Sequence, residues 1–64
     1  MKLYIETMTC GGCARGVTAT IKDIDPNAVV NIDVEHKLVD LETAKDIQPI
    51  LDALAEDGFA AVRH

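Results

Sequence analysis

Polar and apolar residues alternate through Lys2-Leu3-Tyr4-Ile5-Glu6, and this period of two places Leu3 and Ile5 on one face of a half-buried strand. Thr7 to Gly12 reads as a loop. From Cys13 the period lengthens: Cys13, Val17, Ile21 and Ile24 follow at intervals of four, four and three, which is one stripe of a helix, with Arg15 and Lys22 on the opposite side. Gly16 within that helix costs about 1 kcal/mol relative to Ala, so it marks either a close backbone contact or a tolerated weakness. Asp25-Pro26-Asn27 ends the helix, since Pro26 has no amide hydrogen with which to continue the ladder.

Alternation returns in Val30, Ile32 and Val34, set against Asn31, Asp33 and Glu35, and again in Val39 and Leu41, set against Asp40 and Glu42. The intervening Glu35-His36-Lys37-Leu38 is short enough to force an antiparallel hairpin. Asp46 is a good N-cap for a second helix whose buried stripe is Ile47, Ile50, Leu51 and Leu54. Pro49 falls in its first turn, where a missing N–H costs little, and Gly58 is the natural residue to end it. Phe59-Ala60-Ala61-Val62 then supplies a short last strand.

The order is strand, helix, strand, strand, helix, strand. For residues 1–64 as a single domain, the economical arrangement is an α+β, ferredoxin-like βαββαβ sandwich: a four-stranded antiparallel sheet with both helices on one face. The other face of the sheet is expected to be polar. A domain of this size buries only about 60% of the surface of its unfolded chain, so every element must share one core. With 48% hydrophobic and only 3% aromatic residues, that core is built from Val, Ile and Leu.

Six basic against eleven acidic residues give a net charge of −5. That balance argues against nonspecific association with nucleic acid or an anionic membrane surface. Leu3 to Ile5 is far too short for a signal-peptide core or a membrane span. The chain opens with Met1, and a cytoplasmic location without membrane insertion is expected. No Ser/His/Asp set, phosphate-binding glycine loop or acid pair is present, so the protein is not expected to be an enzyme.

The candidate chemistry lies in Met8-Thr9-Cys10-Gly11-Gly12-Cys13, which holds both cysteines of the chain. Thiols in the cytosol stay reduced, and a bridge across C-x-x-C closes only a tiny loop, so a structural disulfide is disfavoured. The motif leaves a strand and enters a helix. Unpaired amides at the helix N-terminus favour the Cys13 thiolate, and Cys10 shares the effect. Gly11 and Gly12 are expected to let the loop fold back so that the sulfurs converge. A structural zinc site takes four Cys or His ligands, whereas His36 and His64 complete only C-x2-C-x22-H-x27-H, which matches no finger or ribbon spacing. The expected arrangement places His36 in a hairpin at the end of the sheet away from the loop, and His64 at a chain end without a fixed position. Cu(I) is soft, is selected by thiolates and does not need that four-ligand set, so two converging sulfurs on an exposed loop suit a Cu(I) carrier.

Met-Thr-Cys-Gly-Gly-Cys after the first strand, Ala-Arg-Gly-Val opening a helix, and Glu-Asp-Gly-Phe before a final strand resemble the heavy-metal-associated domain family, in particular its stand-alone bacterial copper chaperones. The resemblance covers essentially the whole chain. It implies that Cys10 and Cys13 bind Cu(I) and pass it, by ligand exchange, to the metal-binding domains of copper-transporting P-type ATPases. It also implies that Met8 points into the core beneath the loop. Two positions depart from the family pattern. Thr7 stands where many members have Gly and is expected to stiffen the loop, and Phe59 replaces the Tyr, Lys or His common near the metal.

Other readings remain beside this one: a carrier or scavenger of Hg(II), Zn(II) or Cd(II) on the same scaffold, or a small thiol–disulfide oxidoreductase. Arg15 and Lys22 are solvated helix residues or steer an acidic partner, while Asp52, Glu56 and Asp57 form the wet face of the second helix. The apo chain is expected to be a monomer. An exposed two-coordinate ion leaves room for thiolates from a second copy, which opens a Cu-bridged homodimer as one loaded form beside the monomer.

Overall fold

A computed structural model describes residues Met1–His64. Its elements are β1 (Lys2–Ile5), α1 (Gly11–Ile24), β2 (Val29–Asp33), β3 (Leu38–Glu42), α2 (Ile47–Glu56) and β4 (Ala61–Arg63). The strands form one sheet in the order β2-β3-β1-β4 with every pairing antiparallel. The expected α+β, ferredoxin-like βαββαβ fold is therefore observed. Leu3 opposes Val39 and Ile5 opposes Ala61, and Val30 opposes Leu41. Adjacent inward positions thus lie side by side and make one apolar surface.

Both helical stripes close on that surface. Val17 and Ile21 of α1 and Ile50 and Leu54 of α2 are fully buried with Leu3, Ile5, Met8 and Val39. Cys13, Ile24, Ile47 and Leu51 pack around this cluster. The helices also meet through a side chain: the Thr20 hydroxyl donates to Asp57 Oδ2 at 2.6 Å.

Several element ends differ from the sequence expectation, among them that of β2, which stops at Asp33 and leaves Val34 to the turn. α1 begins at Gly11, two residues before the first apolar position, because extended Cys10 (φ −153°, ψ 170°) serves as N-cap. The Cys10 carbonyl accepts the first helical bond from the Ala14 N–H at 3.1 Å. β4 begins at Ala61 rather than at Phe59, since the end of α2 claims Phe59. There Gly58 takes φ +86°, its N–H donates to the Ala55 carbonyl at 3.1 Å, and the Phe59 N–H donates to the Leu54 carbonyl at 2.8 Å. These two bonds are a Schellman ending. The chain end is also ordered by partners: the His64 N–H donates to the Lys2 carbonyl at 2.9 Å, and its ring stacks on Tyr4 with centroids 6.5 Å apart.

The β2–β3 turn is the largest correction. The Ile5 N–H donates to the Lys37 carbonyl at 3.0 Å, so this turn, with His36, lies at the same end of the sheet as the loop that follows β1. Strand direction explains it. α1 carries the chain back, β2 then runs the same way as β1, and its turn must fall at β1's far end.

Candidate metal centre

Cys10 and Cys13 occupy the N-cap and third positions of α1. These are the two sites whose side chains face one another across a first helical turn, the relation used by a capping box. Their sulfurs stand 3.4 Å apart, and both thiols are free. The convergence thus comes from helix geometry rather than from a glycine-folded loop, and neither Gly11 nor Gly12 has a positive φ. What these glycines contribute is open space. A Cβ on Gly11 would meet nothing within 4 Å, and one on Gly12 would stand 3.7 Å from Cys10 Sγ. Both glycines are exposed, and so is Cys10, which leaves the sulfurs open to an approaching ligand.

The Cys13 thiol is held below its ordinary pKa. The Thr9 backbone N–H is the main cause, followed by the Cys10 thiol, and the Cys10 N–H and Thr9 hydroxyl add to it against the opposing effect of desolvation. The stabilising donors therefore come from the N-cap residue and the residue before it.

The loop is anchored on both sides. The Met8 side chain is completely buried, and its N–H donates to the Ile5 carbonyl at 3.1 Å. The expected core position of Met8 is thus observed. The Thr7 hydroxyl donates to the Gly58 carbonyl at 2.9 Å, which joins the loop to the turn between α2 and β4. From the same turn, Phe59 Cε2 lies 3.3 Å from where a Gly16 Cβ would stand, so Gly16 does mark a close contact.

Neither imidazole joins the sulfurs. His36 Nδ1 donates to Asp33 Oδ2 at 2.8 Å, and this bond is the main reason the Asp33 carboxyl is held below its ordinary pKa. Asp33, Glu35 and His36 bring three ligand-type atoms within 4.8 Å of one another on the exposed turn, a grouping absent from the sequence reading. His64 is at β1 against Tyr4. Arg15 and Lys22 are exposed, as are Asp52, Glu56 and Asp57. No helix is long and apolar enough to cross a membrane.

A βαββαβ sandwich with two converging thiols where β1 passes into α1 defines a compact class of metal-associated domain. The chain belongs to the heavy-metal-associated domain family, which matches residues 2–58. It is 45% identical over 42 residues to the copper transport protein ATOX1 homolog of Dictyostelium discoideum, a match that spans 66% of this chain and 63% of that protein. Among solved structures, a gold-binding protein superposes with a TM-score of 0.91 at 44% identity, covering 95% of this chain and 94% of the other. The copper chaperone Atx1 from Synechocystis PCC6803 gives a TM-score of 0.90 at 27% identity, with coverages of 97% and 98%.

Proposed function

We propose that this protein is a Cu(I) carrier in which Cys10 and Cys13 hold the ion and release it by ligand exchange. The observation that carries this reading is a pair of free thiols 3.4 Å apart, Cys10 exposed and Cys13 half-buried, with no imidazole beside them. Two thiolates suffice for a soft monovalent ion and fall short of the four ligands a structural zinc site takes. The similarity to copper chaperones supports the same cargo.

The ion is passed on in steps. A partner thiolate attacks the exposed ion, one cysteine leaves, and a second partner thiolate displaces the other. The metal-binding domains of copper-transporting P-type ATPases are the proposed acceptors, with the carrier working in the cytoplasm as a monomer when free of metal; a second copy's thiolates bridging the ion in a homodimer is an alternative loaded form, which sedimentation with and without Cu(I) decides. This is carriage rather than catalysis, since the ion is transferred without chemical conversion.

The test is anaerobic titration with Cu(I) against a competing chelator. Wild-type protein should take up one ion per chain, with Cys10→Ser and Cys13→Ser each weakening binding by more than the roughly 10–100-fold that loss of a group merely supporting a ligand costs. Undiminished affinity in the double serine variant would remove the cysteines from the site. The similarity to a gold-binding protein favours a second cargo, a heavier soft ion on the same two sulfurs. Competition of Au(I), Hg(II), Cd(II) and Zn(II) against Cu(I) ranks these, and a preference for any of them over Cu(I) would reassign the cargo. Catalytic reduction of insulin would instead support the oxidoreductase reading.

A further inference from the structure

The sulfurs stand 3.4 Å apart, yet an ion held in line between two thiolates needs them farther apart, roughly 4.6 Å on the scale of a zinc–thiolate bond of about 2.3 Å. Loading and release therefore require the pair to open and close. Cys13 sits inside the first turn of α1, whereas Cys10 is the N-cap at the end of the loop. The movement accordingly falls on Cys10 and on the segment from Thr7 that carries it. Met8 fixes this segment at one point in the core. A single anchor leaves a pivot, and the bond from the Thr7 hydroxyl to the Gly58 carbonyl, 2.9 Å long and 51 residues apart in sequence, supplies the second point.

We propose that Thr7 is a positioning residue that governs how fast the cargo leaves: its hydroxyl, bound to the α2–β4 turn, limits the excursion of Cys10. The role rests on the Cu(I) carrier reading above. Gly58 suits the other half of the contact. Its N–H is already used by Ala55, while its carbonyl is turned toward the loop.

The experiment follows release of Cu(I) from loaded protein to excess bicinchoninate by stopped-flow absorbance. Thr7→Val, which keeps the shape and loses the donor, should release Cu(I) about fivefold faster, the order of one net hydrogen bond. Thr7→Ser, which keeps the donor, should stay within about twofold of wild type. Thr43→Val serves as the structural control, because it removes the bond to Asp25 away from both the loop and the α2–β4 turn, and it should leave the rate unchanged. Equal rates in Thr7→Val and wild type would overturn the role, as would equal acceleration by Thr43→Val, which would mean that general loosening suffices. Wild-type protein that holds no Cu(I) at all would overturn the carrier reading and this role with it.

Discussion

Met8 is buried between two exposed residues, Thr7 and Thr9, and its thioether is committed to the core beside Leu3, Ile5 and Val17. A flexible unbranched side chain is suited to the irregular space beneath a loop. Truncation should be costly: Met8→Ala is expected to lose about 2–5 kcal/mol in urea denaturation. Met8→Leu conserves volume and should lose less than about 1.5 kcal/mol. It also removes sulfur, so it separates packing from ligation. Cu(I) affinity in Met8→Leu should remain within about threefold of wild type, and a tenfold loss in a stable variant would make Met8 a ligand. The cysteines were legible as a pair from their spacing, but their positions on the helix were not. Gly11 and Gly12 carry no side chains and add nothing to an apolar stripe, so counting from Cys13 hides the first two residues of α1. Thr7 was legible only as a departure from a pattern, because its partner, Gly58, is distant in sequence.

At the scale of elements, α2 is the one whose ends were clearest in sequence. Asp46 caps it, with the side chain accepting from the Gln48 N–H at 3.2 Å, and Gly58 terminates it in the left-handed region. Gly58→Ala has open space for its methyl group, so its cost is conformational alone, about 1–2 kcal/mol. Thermal or urea unfolding should show that loss, and an unchanged midpoint would mean that the turn relaxes to another conformation. Phe59 was misread because an apolar residue before two alanines looks like the start of a strand, while the Schellman ending draws its N–H back to Leu54. His36 was misplaced for a different reason. The composition of the hairpin marks the turn, but its place in the fold depends on the directions of β1 and β2. Once β1 and β2 run the same way, the turn can only lie at the metal end. Its His36–Asp33 bond then adds an exposed polar group to that end without supplying a ligand to the cysteines.

The whole molecule has two differently secured ends. The metal end depends on the loop anchors, whereas the opposite end is tied by Asp25, the C-cap of α1 and only 5% exposed. Its carboxylate accepts from the Thr43 hydroxyl at 2.5 Å and from the Asn27 N–H at 3.1 Å, joining the α1–β2 turn to the β3–α2 connection. The Thr43 bond chiefly, with help from Asn27 and the Lys45 charge, holds the carboxyl below the ordinary aspartate value of 3.8 against the effect of desolvation. A carboxylate whose pKa is lower folded than unfolded stabilises the protein above the unfolded value, and that contribution disappears as the pH falls toward the folded value. The stabilisation is thus fully present at neutral pH and is lost progressively below about pH 4. Thr43→Val removes the main cause of the shift. It should lower the thermal midpoint at pH 7 and flatten the decline between about pH 4 and pH 2 relative to wild type, so the two curves converge in acid. Parallel curves over that range would show that Asp25 protonation does not contribute to acid unfolding. The variant leaves Cys10, Cys13, Thr7 and Met8 untouched, so its Cu(I) affinity at pH 7 should match wild type even though its stability is lower.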